Sequence, residues 1–262
     1  MDNMIELMTS YSFSGVPCIT YGALDEYAEM VIADFTPQFL KMPGQINAEE
    51  FIEYYLGLHT EYHRIQYERQ ILGMTAFNDG YLQVANESTG MPEAMPVTKG
   101  TVIIDTSLTT TRNLPRLRFT AMHEASHWLI HREAFKVNNP FGAVGVYDNQ
   151  FLAAKEGRID YSRSVLEKTD IQRIERQADF LSSALLMPRP ALRTAYREFF
   201  DYNGEKPRRI IKGVGKQSDD RFAVELPKFV GELFGVSTRA ALIRLEKLTA
   251  IVDGKTWRGS FI

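Results

Sequence analysis

HEASHWLIH, residues 123–131, places three of the chain's five histidines and a glutamate within nine positions. On an α-helix, residues i and i+4 lie about 40° apart around the axis and about 6 Å apart along it. His123 and His127 therefore point the same way, and their rings can converge on one ion. Glu124 sits about 100° around from His123, beside the ion rather than on it. This is the HExxH arrangement, in which two neutral imidazoles bind Zn2+ and the glutamate handles protons next to it. Ala121, Met122, Ala125, Trp128 and Leu129 form an apolar stripe centred nearly opposite the two histidines. The helix is thus expected to pack on its back and to present its ligands to a cleft.

His131 lies about 12 Å of rise from His123, too far to share one ion on an unbroken helix. Metzincins recruit a third histidine through HExxHxxGxxH, whose glycine turns the chain; that glycine and that spacing are absent here. His131 reads as a surface histidine or one that supports a ligand from behind. His59 and His63 share i, i+4 spacing but lack a glutamate in the right place and fall in a β-like run, so they read as structural.

A catalytic zinc takes three protein ligands and keeps one position open. With histidine nearly exhausted, the third ligand is expected to be a carboxylate from another helix. In KTDIQRIERQADFLSSALL, Ile171, Ile174, Ala178, Leu181 and Leu185 make a buried stripe, and Glu175 and Asp179 sit together on its border. By themselves they read as solvated charges on an amphipathic helix. Beside an incomplete zinc site 48 residues upstream, Glu175 becomes the third ligand. Asp179 becomes the acceptor for the other ring N–H of a ligand histidine, fixing its tautomer.

The rest of the chain supplies a frame. Residues 20–36 carry helical spacing at Leu24, Tyr27, Ala28, Val31, Ile32 and Phe35. Asn47 with Glu50 looks like a cap for a short helix over Ala48–Leu56. HRIQY, QILGMTAF, YLQVA and TVIID are short β-rich runs, split by turns such as Asn78-Asp79-Gly80. Pro115 suits the first turn of the HExxH helix. Residues 135–167 read as irregular, and 203–220 as a locally basic, solvated connection between helices. Helices, then a small sheet, then helices define an α+β class. Three segments are expected: a helical region at 1–58, a core at 59–202 and a helical region at 203–262.

Composition narrows the function classes. Hydrophobic residues at 44% and charged residues at 24% suit a soluble globular chain. A net charge of −3 gives no global pull toward nucleic acid or an anionic membrane. No run approaches the roughly 18 apolar residues of a membrane helix. MDNMIELMTSYSF lacks the basic stretch and apolar run of a secretory signal. Cys18 is the only cysteine; it rules out an internal disulfide and a cysteine-rich zinc site, fits a reducing cytoplasm, and reads as a small buried hydrophobe.

HEASHWLIH followed by ERQADFLSSALLMP resembles the ImmA/IrrE-type zinc metallopeptidases, whose pattern is HExxH on one helix and ExxA(N/D)xFA leading into LLMP on a second. The lead-in TVIIDTSLTTTRNLPRLRFTAMHE and the tail KFVGELFGVSTRAALIRLEKL are also similar, so the resemblance covers about residues 101–249. It implies a zincin-like fold in which a small sheet packs with helices, the HExxH helix carries the active site and a second helix carries the third ligand. It implies His123, His127 and Glu175 as zinc ligands and Glu124 as the catalytic carboxylate. Two departures stand out: Ser126 where a small residue, often glycine, precedes the second histidine, and Leu181-Ser182 where Phe-Ala is usual, with the aromatic moved to Phe180. Several members are similar in carrying a helix-turn-helix module fused at the N-terminus; no clear one is visible here.

The expectation is a cytoplasmic zinc endopeptidase that cleaves a specific protein partner, a helix-turn-helix repressor by the resemblance, without binding nucleic acid or membrane. The alternative is a non-hydrolytic zinc-containing regulator that binds and antagonises a repressor, against which the intact Glu124 argues. A DNA-binding protein is the least favoured class, given the acidic balance. Tyr161, Tyr196 and His131 are open candidates for stabilising an oxyanion. TVIID could pair with an extended substrate by strand addition. The stretch 135–167 could cover the cleft, and the first hundred residues or the loop at 203–220 could add a second contact surface.

Overall fold

A computed structural model describes residues 5–65, 71–86, 88–137, 151–155 and 168–256. The chain opens with a small hairpin, β1 (Ser10–Tyr11) and β2 (Pro17–Cys18), and then forms α1 (Tyr21–Phe35) and a short α2 (Gln38–Lys41). Next comes α3 (Ala48–Glu50), which continues as a π-helical turn over Phe51–Tyr55. Asn47 caps it by accepting from the backbone N–H groups of Glu49 and Glu50. Five strands follow: β3 (His59–His63), β4 (Ile71–Ala76), β5 (Gly80–Ala85), β6 (Pro92–Val97) and β7 (Thr101–Asp105). Then come α4 (Leu114–Ile130), α5 (Arg132–Val137), β8 (Phe151–Lys155) and α6 (Lys168–Leu186). The chain ends with α7 (Arg189–Tyr202), β9 (Ile210–Lys212), α8 (Asp219–Phe234), α9 (Thr238–Lys247) and β10 (Ile251–Asp253). The class is mixed α+β.

Two compact units result, and they cut across the three segments read from sequence. One contains Met1–Val31 and Asn47–Leu185; the other contains Ile32–Ile46 and Leu186–Ile262. The N-terminal hairpin and most of α1 thus belong with the sheet and the HExxH helix.

In the first unit, a four-stranded sheet runs in the order β3-β7-β4-β8, with β3 parallel and β4 antiparallel to β7. Side chains alternate faces along a strand. Met74 and Ala76 of β4 and Ile103 of β7 point to one face, where they form a cluster with Ile65 and with Leu82, Val84 and Val97 of the β5–β6 hairpin. Gly73 and Thr75, paired with Ile104 and Val102, face the other way, toward α4. The sheet is therefore covered on both sides, which is why all five residues of β7 are buried.

Several expectations change here. β7 is an interior strand, hydrogen-bonded to β3 on one side and β4 on the other, so TVIID has no edge to offer a substrate; β3 and β8 are the outer strands. β6 is a strand that periodicity does not announce, because Pro92 and Pro96 fit only a lightly bonded edge. The stretch 135–167 is not wholly irregular: α5 extends to Val137, and Phe151–Lys155 is β8; the remainder lies outside the described residues. Cys18 is exposed, not buried.

In the second unit, Gly235 ends α8 in the left-handed conformation, φ 64°, and Ser237 caps α9 by accepting from Ala240 N–H. Arg244 is buried and donates to the carbonyl of Met187, just past the end of α6. The basic connection at 203–220 contains β9, which pairs in parallel with β10, and Arg208 within it forms ion pairs with Glu205 and Asp219. It is a built element rather than a solvated loop. Among the described residues, no helix is long and apolar enough to cross a membrane.

Replacing Ile103, fully buried between the sheet and the β5–β6 hairpin, with alanine should cost about 2–5 kcal/mol. Chemical denaturation monitored by circular dichroism reads the loss.

Candidate metal centre

The α4 helix lies against β4 at close quarters. A Cβ on Gly73 would stand 2.7 Å from Thr120 Cγ2 and 3.0 Å from both Cγ and Oε1 of Glu124. Only a glycine lets the helix approach this near. Thr75 then reaches Glu124 twice: its hydroxyl lies 3.1 Å from the backbone carbonyl and 2.8 Å from Oε2 of that residue. Every α4 residue from Thr120 to Ile130 is buried, as is His131. The helix does not simply rest on an apolar back and expose a polar front; it is enclosed, and its histidines are part of the interior.

The structure brings His123, His127 and Glu175 together, with ligand atoms all within 4.8 Å of one another. His123 Nε2 and His127 Nε2 are 2.9 Å apart. Glu175 Oε2 is 3.5 Å from the first, and Glu175 Oε1 is 3.8 Å from the second. A tetrahedral zinc with bonds of about 2.0–2.2 Å spaces its ligand atoms about 3.3–3.6 Å apart. The observed separations bracket that range, so small side-chain shifts suffice. The group can hold a metal ion. Two buried atoms fit this reading: Oε1 of Glu175 and Oε1 of Glu124 have no hydrogen-bond partner among the described residues, a costly condition for a carboxylate unless something cationic or protic meets it.

Exposure rises in one direction across the site. The side chains of His127 and His123 are 0% and 5% exposed, Glu175 is 16% exposed and Asp179 is 62% exposed. The centre therefore opens toward α6. Asp179 Oδ1 lies 3.0 Å from His123 Nδ1, the position from which a carboxylate fixes the ring with Nε2 turned to the ion. His131, read as a surface residue or a support, is fully buried. Its Nδ1 lies 3.0 Å from His127 Nδ1, and its Nε2 lies 3.0 Å from Gln177 Oε1.

Burial and partners push these groups apart. Burial alone lowers His123, but hydrogen bonds to Asp179 and Glu175 more than offset it and hold the ring well above the usual histidine range. His127 falls well below that range, through burial and the neighbouring His123. Burial takes His131 down to about 3, against the Gln177 hydrogen bond. Glu124 is raised to about 8 by burial, opposed by His123 and the Thr75 hydrogen bond. A cation in the ligand group acts in the opposite sense and favours the carboxylate form of Glu124.

Sequence reasoning did not find Gly73, Thr75 or Gln177. Gly73 carried a signal, since a glycine inside a strand marks a close backbone approach. Thr75 and Gln177 carried none. Of the open oxyanion candidates, His131 is held behind His127, Tyr196 donates to the Arg208 carbonyl within the second unit, and Tyr161 lies outside the described residues. His59 and His63 stand on β3, and His63 pairs with Glu61. Neither a family model nor a curated protein matches the chain.

Gly73→Ala should force Thr120 and Glu124 aside, at about 1–3 kcal/mol of stability, with metal affinity reduced as well; calorimetric unfolding and metal titration report the two effects. Since His123 holds a proton above the ordinary histidine range, metal must displace that proton. Zinc affinity should therefore rise about tenfold per pH unit from pH 6 to 7, measured by chelator competition; a flat profile would contradict the assignment.

Proposed function

We propose that the protein is a zinc-dependent endopeptidase of the ImmA/IrrE type with a zincin-like core. The observation that carries this is Glu124: wholly buried, one carboxylate oxygen bonded to Thr75 and the other without a hydrogen-bond partner, beside a histidine-histidine-glutamate ligand group. A purely structural metal site has no use for such a group. Peptide hydrolysis has, because a water must lose its proton as it attacks.

His123, His127 and Glu175 would hold the zinc. Bound there, the ion supplies Lewis-acid polarisation of a substrate carbonyl and acidifies a water. The Glu124 carboxylate accepts the proton of the attacking water and returns a proton to the departing amine nitrogen. Thr75, fixed in β4, donates to Oε2 and restrains that carboxylate. Asp179 holds His123 in the tautomer that leaves Nε2 free to bind. The enclosure of α4 keeps bulk water away from Glu124, which strengthens each of these interactions.

The substrate we assign is a specific folded or partly folded protein, a helix-turn-helix repressor, in the cytoplasm. Support for the repressor comes from the resemblance of residues 101–249 to that family. Support for a demanding substrate is physical: the candidate ligands are largely buried, with exposure rising toward Asp179, so an extended segment reaches them poorly unless something else positions it. Among the described residues β8 is an outer strand, antiparallel to β4, and so is a better candidate for strand addition than β7.

Glu124→Gln should keep the fold and bind zinc while losing chelator-sensitive cleavage of a repressor encoded beside the protein, by at least about 100-fold. Electrophoresis of the digests and metal analysis check both halves. Casein digestion with the repressor left intact would instead indicate a general protease.

A further inference from the structure

The ligand His127 sits at one end of a buried chain of hydrogen bonds that runs out of α4, through α6, to the N-terminal hairpin. His127 Nδ1 meets His131 Nδ1 at 3.0 Å, His131 Nε2 meets Gln177 Oε1 at 3.0 Å, and Gln177 Nε2 donates to the carbonyl of Pro17 at 2.8 Å. His127, His131 and Gln177 are all buried. The far end fixes the direction of every bond. A backbone carbonyl can only accept, so the amide nitrogen of Gln177 must face Pro17 and its oxygen must face His131. That oxygen can only accept, so His131 carries its proton on Nε2. A neutral His131 then has a lone pair on Nδ1, and His127 must donate to it from its own Nδ1. The remaining nitrogen of His127, Nε2, is left with a lone pair aimed into the ligand group, 2.9 Å from His123 Nε2.

We infer that His131 and Gln177 are positioning residues that hold His127 in its metal-binding tautomer, with the Pro17 carbonyl setting the polarity of the whole chain. The two ligand histidines are thus oriented by different means: His123 by the carboxylate of Asp179, and His127 by a neutral chain that ends on the backbone of β2. Metal binding then draws on a segment 106 residues before the first ligand in sequence. This deepens the zinc reading given above and rests on it.

The test compares zinc affinity, by competition with a chromophoric chelator, in the wild-type chain, His131→Leu, His131→Asn and Gln177→Leu. Leucine roughly fills the space of the ring but accepts nothing, whereas asparagine places an amide oxygen near the position of Nδ1. The expected result is a loss of about 10–100-fold for His131→Leu, a smaller loss for Gln177→Leu, and recovery of most of the affinity in His131→Asn. A residue needed only for packing would show no such rescue. Independently of any variant, nitrogen-15 NMR of the wild-type protein should show His131 as the Nε2–H tautomer. A folded His131→Leu that binds zinc within about threefold of wild type, or an Nδ1–H tautomer at His131, would overturn the inference while leaving the metal centre standing. A wild-type chain that takes up no zinc would overturn the metal centre itself, and this inference with it. Should His131→Leu fail to fold, the tautomer and the His131→Asn measurement decide.

Discussion

The approach of α4 to β4 at Gly73 is the constraint on which the rest of the site depends. It places the Glu124 side chain directly over a strand that lacks a Cβ at that point, and it puts Thr75 within reach of both the side chain and the backbone of Glu124. A larger residue at position 73 would lift the helix, and with it both histidines. Because Gly73 and Thr75 share a face by the two-residue period of the strand, one local arrangement supplies both the room and the restraint.

Burying three histidines and a glutamate on one helix is expensive unless their polar atoms are satisfied. Most are, and the partners come from two elements, Thr75 on β4 and Asp179 and Gln177 on α6, with Gln177 donating in turn to the Pro17 carbonyl on β2. The interior is thus held by directional bonds as well as by apolar contact with Val102 and Ile104. Among the described residues, Oε1 of Glu124 and Oε1 of Glu175 are left without a hydrogen-bond partner, and Glu175 is one of the three residues that could hold a metal ion.

What the sequence made legible was whatever follows from helix period. The i, i+4 spacing of His123 and His127, and the border position of Glu175 and Asp179 on an amphipathic helix, depend only on 3.6 residues per turn, so they could be read without a fold. The strands β4, β5 and β7 were visible as β-rich runs for a similar local reason, whereas the run HRIQY meets β3 only at His63. β6 was hidden by its prolines, and β8 by the irregular composition around it. The partners of the site were hidden more deeply. Thr75 is 49 residues from Glu124, and Gln177 is 160 residues from Pro17; such pairs are set by how elements cross, which no spacing rule encodes. His131 was placed too far from the ion to be a ligand. What spacing could not reveal is that distance from the ion is what equips it to hold the ligand between.

The two histidines of the candidate metal group are chemically unequal, and the inequality comes from what stands behind each. The Asp179 and Glu175 carboxylates beside His123, at Nδ1 and Nε2 respectively, favour its imidazolium form and hold it above the usual histidine range. A neutral ring behind His127 offers a lone pair but no charge, and burial keeps His127 unprotonated. A second carboxylate, behind His127, would have brought one more charged group into the interior beside Glu124. Using a neutral chain for one ligand and a carboxylate for the other limits the charge that must be buried, while still fixing both rings.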